Sequence, residues 1–315
     1  MDNITHTLTG LMLARTGLGH TTERGGSLML MLAANTPDID AISGLFGSLS
    51  YLQYHRGYLH SVAMAPVMAV LPLLLARRIR GASVNWRSYF ACLLGVLSHL
   101  ALDLSNSYGI RLYLPFSTRW LELDLTEFID PWILLIFLSA IALPALSRIP
   151  RRVLAGAALA AFLGYEGFRF AARQRAIARI RTSVHADRVA ALPDGMNPLR
   201  WRGIVETGDS VQTVPILLTQ DFDPGRGRID YSTPRSPALD AASATKEFRE
   251  FLRFNQLPFW NVTPVGDATR VDLIDLRFGP PHRPGLASAS AIVAADGSVR
   301  AVQFKMALFG SLSTP

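Results

Sequence analysis

Seven residues stand out for what they could do together: His6, Asp38, Asp40, His55, His60, His99 and Asp103. Each lies at one end of an apolar segment. His99 and Asp103 are four apart, so on a helix both project from one face. If consecutive helices run antiparallel, His6 opens the first, Asp38 and Asp40 follow the second, His55 and His60 open the third, and His99 and Asp103 close the fourth. Starts of odd helices and ends of even ones meet at one face. Taken singly, a histidine in an apolar helix is ordinarily a packed residue, and Asp38 and Asp40 are ordinary turn residues. The coincidence of position is what packing does not explain. A mixed imidazole–carboxylate set suits zinc first, with manganese or iron as alternatives, and one or two ions. A divalent ion there lowers the pKa of its water and polarises a phosphoryl or carbonyl oxygen, which is hydrolytic chemistry.

The elements that must position these residues read as membrane helices. The chain has 315 residues, 50% hydrophobic and 17% charged, more apolar than an average soluble domain. Residues 4–18 and 27–35 are apolar but too short to cross a bilayer, which needs roughly 20 helical residues. They are expected as short or re-entrant helices. NTPDID (35–40) follows, with Pro37 as a helix stop. Spans are expected over 57–76, 88–104, 131–147 and 153–170, the last interrupted by Glu166 and Arg169. Asp130–Pro131 is a helix start, a capping residue followed by proline at the first helical position. The opening MDNITHTLTG has no basic region before its apolar stretch and does not resemble a cleaved signal peptide.

The net charge is +7, carried almost wholly by arginine. Because the arginines flank apolar spans, they read as orienting the chain in a membrane, and no nucleic-acid partner is expected. The basic turns at 77–87 and 148–152 fall on one side if each span crosses once, and that side is cytoplasmic. The site and the C-terminal domain then lie on the non-cytoplasmic side. Arg169, Arg173, Arg175, Arg179 and Arg181 would flank the fourth span outside, against the same tendency, unless that segment does not cross. Cys92 is the single cysteine, which excludes a disulfide framework and a thiolate cluster.

After about residue 182 the pattern alternates. Residues 202–208, 211–220, 270–279, 289–297 and 299–308 read as strands, and 244–256 as one amphipathic helix. The expected organisation is an α-helical membrane bundle over 1–172, of about four spans plus short N-terminal helices. A basic linker helix and a small soluble α+β, mostly-β domain follow over 173–315.

Four motifs resemble the bacterial YdjM-like membrane-bound metal-dependent hydrolases: MDNITHTLTG at 1–10, NTPDID at 35–40, HRGYLHS at 55–61, and SHLALDLSNSYGIRLYLPFSTRW at 98–120, followed by an acidic stretch to Asp130. The resemblance covers about the first half of the chain. Leu59 departs from it, standing where the family typically has threonine. The resemblance implies a bacterial inner-membrane location, metal dependence and hydrolysis, with the seven residues above as ligand candidates. Some of these would orient ligands rather than bind. Asp40 is the weaker ligand and the candidate general base or ligand-orienting group. Arg56, between the two histidines, is a candidate catalytic clamp for a phosphate or carboxylate, as are Arg111 and Arg119 in the outer loop. The same arginines could instead meet lipid headgroups or pair with Glu122, Asp124 and Glu127. Asn106, Tyr108, Pro115, Phe116 and Trp120 match the family loop and read as an interfacial aromatic belt. Asp124 is a further candidate carboxylate.

The function expected is hydrolysis of an ester by metal-activated water at the membrane face. Membrane lipid is the expected partner, and a lipid or lipid-linked phosphoester the expected substrate. A divalent-metal or ion transporter is the alternative, and a non-enzymatic membrane protein with a structural metal is a third reading.

Overall fold

A computed structural model describes residues 1–22, 24–282 and 285–307. The chain divides into two compact units, one of residues 1–40, 56–174 and 193–198, the other of residues 41–55, 175–192 and 199–315. The sequence places a boundary near 172; in the structure the chain also passes from one unit to the other between 174 and 175. Residues 41–55 and 193–198 each group with the unit on the far side of it.

The first unit is helical. Helix α1 (Asn3–Arg15) starts where the Asp2 carboxylate accepts from the Ile4 and Thr5 backbone N–H groups, each at 3.0 Å, satisfying donors that a helix start leaves unpaired. It packs on α2 (Gly26–Ala33). At their crossing a Cβ on Gly10 would fall 2.5 Å from the Leu30 carbonyl oxygen, so only glycine permits the approach. NTPDID does not simply turn. It begins an 11-residue 3₁₀ stretch, Thr36–Phe46.

The expected span over 57–76 is broken. Tyr58–His60 forms a single 3₁₀ turn, followed by α4 (Ala65–Met68) and α5 (Val70–Arg80). Pro66 lies in the first turn of α4, where its missing N–H costs nothing, so the helix restarts there. Helix α6 (Trp86–Ser105) is continuous, capped by Asn85 accepting from Ser88 N–H at 3.0 Å. One of its faces joins the core of α2 and α5 through Ala91, Cys92, Val96 and Leu100. Leu102 joins a second core with Leu8, Met12, Ile133 and Phe137. Helix α7 (Pro131–Ala142) starts as expected, with Asp130 accepting from Trp132 and Ile133 N–H.

Helix α8 (Arg151–Ser183) runs unbroken for 33 residues, merging the expected fourth span with the basic helix after it. Glu166 and Arg169 do not break it because each finds a partner. Ser105 Oγ donates to Glu166 at 3.3 Å, and Arg169 Nε donates to the Leu125 carbonyl at 2.7 Å.

Among the described residues two helices, α6 and α8, are long and apolar enough to cross a membrane, or three if the broken pair Ser48–His60 and Ala65–Arg80 counts as one span. The 131–147 segment is a shorter apolar helix. Leu71, Leu74, Leu75, Phe90, Leu94, Leu135, Leu138 and Leu163 are exposed on these helices. Such flanks suit hydrocarbon, where helices satisfy their own backbone.

The second unit holds two four-stranded antiparallel sheets. The first has the order β1 (Arg188–Pro193), β2 (Arg200–Thr207), β3 (Ser210–Leu217), β4 (Arg228–Tyr231). The second has β5 (Pro258–Val265), β6 (Ala268–Asp275), β7 (Ala287–Ala294), β8 (Val299–Met306). The alternating stretches became β2, β3, β6, β7 and β8, although Leu308 lies outside the described residues. Helices α9 (Pro237–Ser243) and α10 (Lys246–Phe254) pack on the second sheet, α10 through Phe248, Phe251 and Phe254. A short helix, α3 (Ser48–Tyr54), packs on α10 and β8, which is why residues 41–55 belong here.

A candidate metal centre

Four of the seven residues bring one atom each to a common point. His60 and His99 approach Nε2 to Nε2 at 3.0 Å. His60 Nε2 lies 3.4 Å from Asp38 Oδ1 and 3.4 Å from Asp103 Oδ2. His99 Nε2 lies 3.6 Å from Asp38 Oδ1 and 3.4 Å from Asp103 Oδ2. His60, His99 and Asp103 are fully buried, and the Asp38 side chain keeps 13% exposure.

The tautomers follow from what holds the other ring nitrogens. His99 Nδ1 is 2.7 Å from the Ala34 carbonyl oxygen, which can only accept. His60 Nδ1 is 3.0 Å from Asp40 Oδ2, a carboxylate. Both Nδ1 atoms therefore donate, and in the neutral rings both Nε2 atoms carry lone pairs. Two lone pairs thus face each other beside two carboxylate oxygens, and Asp103 Oδ2 has no hydrogen-bond donor among the described residues. In a dry site this arrangement is repulsive unless a proton or a metal cation joins it. The donor set fits a metal ion. The four atoms lie within 4.8 Å of one another, and five of their six separations are 3.0–3.6 Å, close to the spacing of donors held about 2.1 Å from one zinc ion.

The remaining candidates take other places. Asp40 orients His60 from outside the four atoms. His6 stacks on His99 with ring centroids 3.8 Å apart, and its Nε2 lies 3.3 Å from Asp103 Oδ1, so it flanks the site. His55 belongs to the second unit, where its ring stacks on Tyr51 at 4.3 Å. Arg56 is 2% exposed and spends its guanidinium on Asp103 Oδ1, Asn106 Oδ1 and the Gly109 carbonyl. It is buried in the frame of the site rather than held open as a clamp. Arg111 lies over the Trp120 ring at 5.0 Å, and Arg119 is exposed. Asp124 pairs with Arg173 at 2.9 Å.

Three participants were not singled out from sequence. The Ala34 carbonyl is a backbone atom and leaves no sequence signal. Asn3 Nδ2 donates to Asp38 Oδ2 at 3.2 Å; its place three residues before His6, on the same helical face, was the available clue. The Met1 amino group also contacts Asp103 Oδ1.

Long apolar helices with exposed apolar flanks and a buried His₂Asp₂ cluster define a membrane protein with a site able to bind a metal ion. Residues 1–176 match the family described as YdjM inner membrane protein, and the chain belongs to that family. An uncharacterised protein of Bacillus subtilis (strain 168), YfhP, is 26% identical over 300 residues, covering 88% of this chain and 87% of that one. That similarity therefore extends into the second unit. No solved structure matches.

Proposed function

We propose that this protein is a membrane-bound metal-dependent hydrolase. The observation that carries the reading is the convergence of two buried imidazole Nε2 atoms 3.0 Å apart with two carboxylate oxygens beside them. His60, His99, Asp38 and Asp103 would hold one divalent ion, with zinc favoured by the tetrahedral spacing and mixed donors. A divalent ion bound there supplies a water of lowered pKa and polarises a phosphoryl or carbonyl oxygen. Asp38 is the donor that retains exposure, so the substrate side of the site is its side. Asp40 keeps His60 in the binding tautomer through its contact with Nδ1, the orienting one of the two roles expected of it. His6 and His55 remain candidates for an outer role or for a second ion. The substrate class is an ester, most simply a phosphoester of a lipid or lipid-linked molecule, since the site is carried by membrane helices.

The bundle is proposed to cross four times, with the broken pair and α7 completing α6 and α8. The arginines at 77–87 and 148–152 would face the cytoplasm, and the site and second unit the other side.

A structural metal is the second reading. It is favoured by the four protein donors, which would fill a tetrahedral shell where catalytic zinc sites keep a position open.

Elemental mass spectrometry of the detergent-purified protein separates these readings, run on wild type, His60→Ala and His99→Ala. We expect about one zinc per wild-type chain and none in either variant, with phosphoesterase activity lost while both variants still insert. Variants that lose the metal and also fail to assemble would favour the structural role. A well-folded wild type that takes up no divalent metal would sink the hydrolase reading.

A further inference from the structure

Among the described residues, Arg56 is the one buried side-chain guanidinium that touches the donor set, and its backbone is unusual. It has φ of +56°, in the left-handed region that a long side chain rarely adopts. Such a conformation persists only where the surroundings fix it. Here they do so at several points. Nη2 donates to Asp103 Oδ1 at 2.9 Å, and Nη1 donates to Asn106 Oδ1 at 3.2 Å and to the Gly109 carbonyl at 3.3 Å. The guanidinium carbon lies 4.6 Å over the Tyr108 ring, and the Arg56 carbonyl accepts from Arg111 N–H at 3.1 Å.

The two oxygens of Asp103 are thereby made unequal. Oδ1 takes the Arg56 guanidinium, while Oδ2 is left to face His60 and His99. The same side chain grips the start of the outer loop. Tyr108 packs edge-on against Trp120 at 5.9 Å, and Arg111 covers the Trp120 ring at 5.0 Å. A line of contacts therefore runs Arg56, Tyr108, Trp120, Arg111 from the donor set along the loop.

We propose that Arg56 is a positioning residue: it presents Asp103 Oδ2 to the metal ion and ties the order of residues 106–121 to metal occupancy. This rests on the metal-centre reading above. The planar fork is what the role needs, because a single ammonium cannot reach Asp103, Asn106 and Gly109 together. Partners that orient a ligand typically set about 10–100-fold in metal affinity.

The test uses full-length protein in detergent, titrated with cobalt(II) as the metal probe and compared with Arg56→Met and Arg56→Lys. Affinity is read by competition with a chelator, ligand geometry by the visible cobalt absorption, and loop order by hydrogen exchange. Wild type should bind cobalt with a tetrahedral-type spectrum and gain protection over 106–121. Arg56→Lys, which keeps the buried charge and so the fold, should bind at least about tenfold more weakly. It should also show an altered band and gain less protection, with Arg56→Met weaker still. Variants with wild-type affinity and spectrum would overturn the positioning role and leave the metal centre intact. A wild type that binds no cobalt would overturn the metal centre and this inference together.

Discussion

At the scale of single residues, the site depends on groups that do not touch the common point. A histidine in an apolar helix can present either ring nitrogen, and the partner of Nδ1 decides which. Asp40 does this for His60 and the Ala34 carbonyl does it for His99. Asp40→Asn keeps the shape but replaces a carboxylate with a weaker, ambivalent partner. Metal affinity should fall about 10–100-fold, while His99→Ala, which removes a donor, abolishes stoichiometric binding. Isothermal titration with zinc distinguishes the two, and equal losses would argue that Asp40 itself ligates. This division of labour was only partly legible in the sequence. The residue types and the four-residue spacing of His99 and Asp103 are local facts, and four of the seven residues they pointed to lie together. That Arg56 faces inward to Asp103 instead of outward to substrate was not, because its partners Asp103, Asn106 and Gly109 lie about fifty residues away along the chain.

At the scale of elements, α1, α2 and α6 must hold their crossings closely for the donors to converge. Ala33 meets Gly95 of α6, where an added Cβ would fall 2.8 Å from the Ala33 Cβ. Gly10 is tighter, against the backbone of α2. Gly10→Ala should force α1 away from α2 and cost about 1–3 kcal/mol, the range for overpacking a close contact. Because α1 carries His6 and Asn3, and α2 leads into Asp38, metal affinity should fall in the same variant. A thermal melt with and without zinc reads both effects. An unchanged melting temperature would mean the helices adjust freely at this crossing. Helix starts at Asp2, Asn85 and Asp130 follow from capping chemistry; of these, only Asp130 was read as one from the sequence. The break between Tyr58–His60 and α4 was not foreseen, since apolarity across 57–76 carries no mark of where backbone bonding stops.

At the scale of the whole molecule, the first unit matches a membrane family and the second is built from two antiparallel sheets. The proposed orientation can be tested in intact cells with a membrane-impermeant maleimide. In a Cys92→Ala background, Asp209→Cys in the exposed β2–β3 turn should label directly. Arg78→Cys, exposed at the end of α5, should label only after permeabilisation. The reverse pattern would place the second unit in the cytoplasm and overturn the proposed topology.

By itself the sequence determined the residue types of the site, the N-terminal apolar character, most strands of the second unit and the amphipathic face of α10. All of these are set by neighbours within a few positions, through helical or strand periodicity. Only the tertiary structure decided which four atoms converge, which ring nitrogen each histidine offers, and that Arg56 is a buried partner of Asp103. It also decided that residues 41–55 pack with the second unit and that α8 continues through Glu166 and Arg169. For the polar groups the physical reason is shared. A buried polar group takes its orientation from the hydrogen-bond partner that satisfies it, and here those partners lie 20 to 65 residues away.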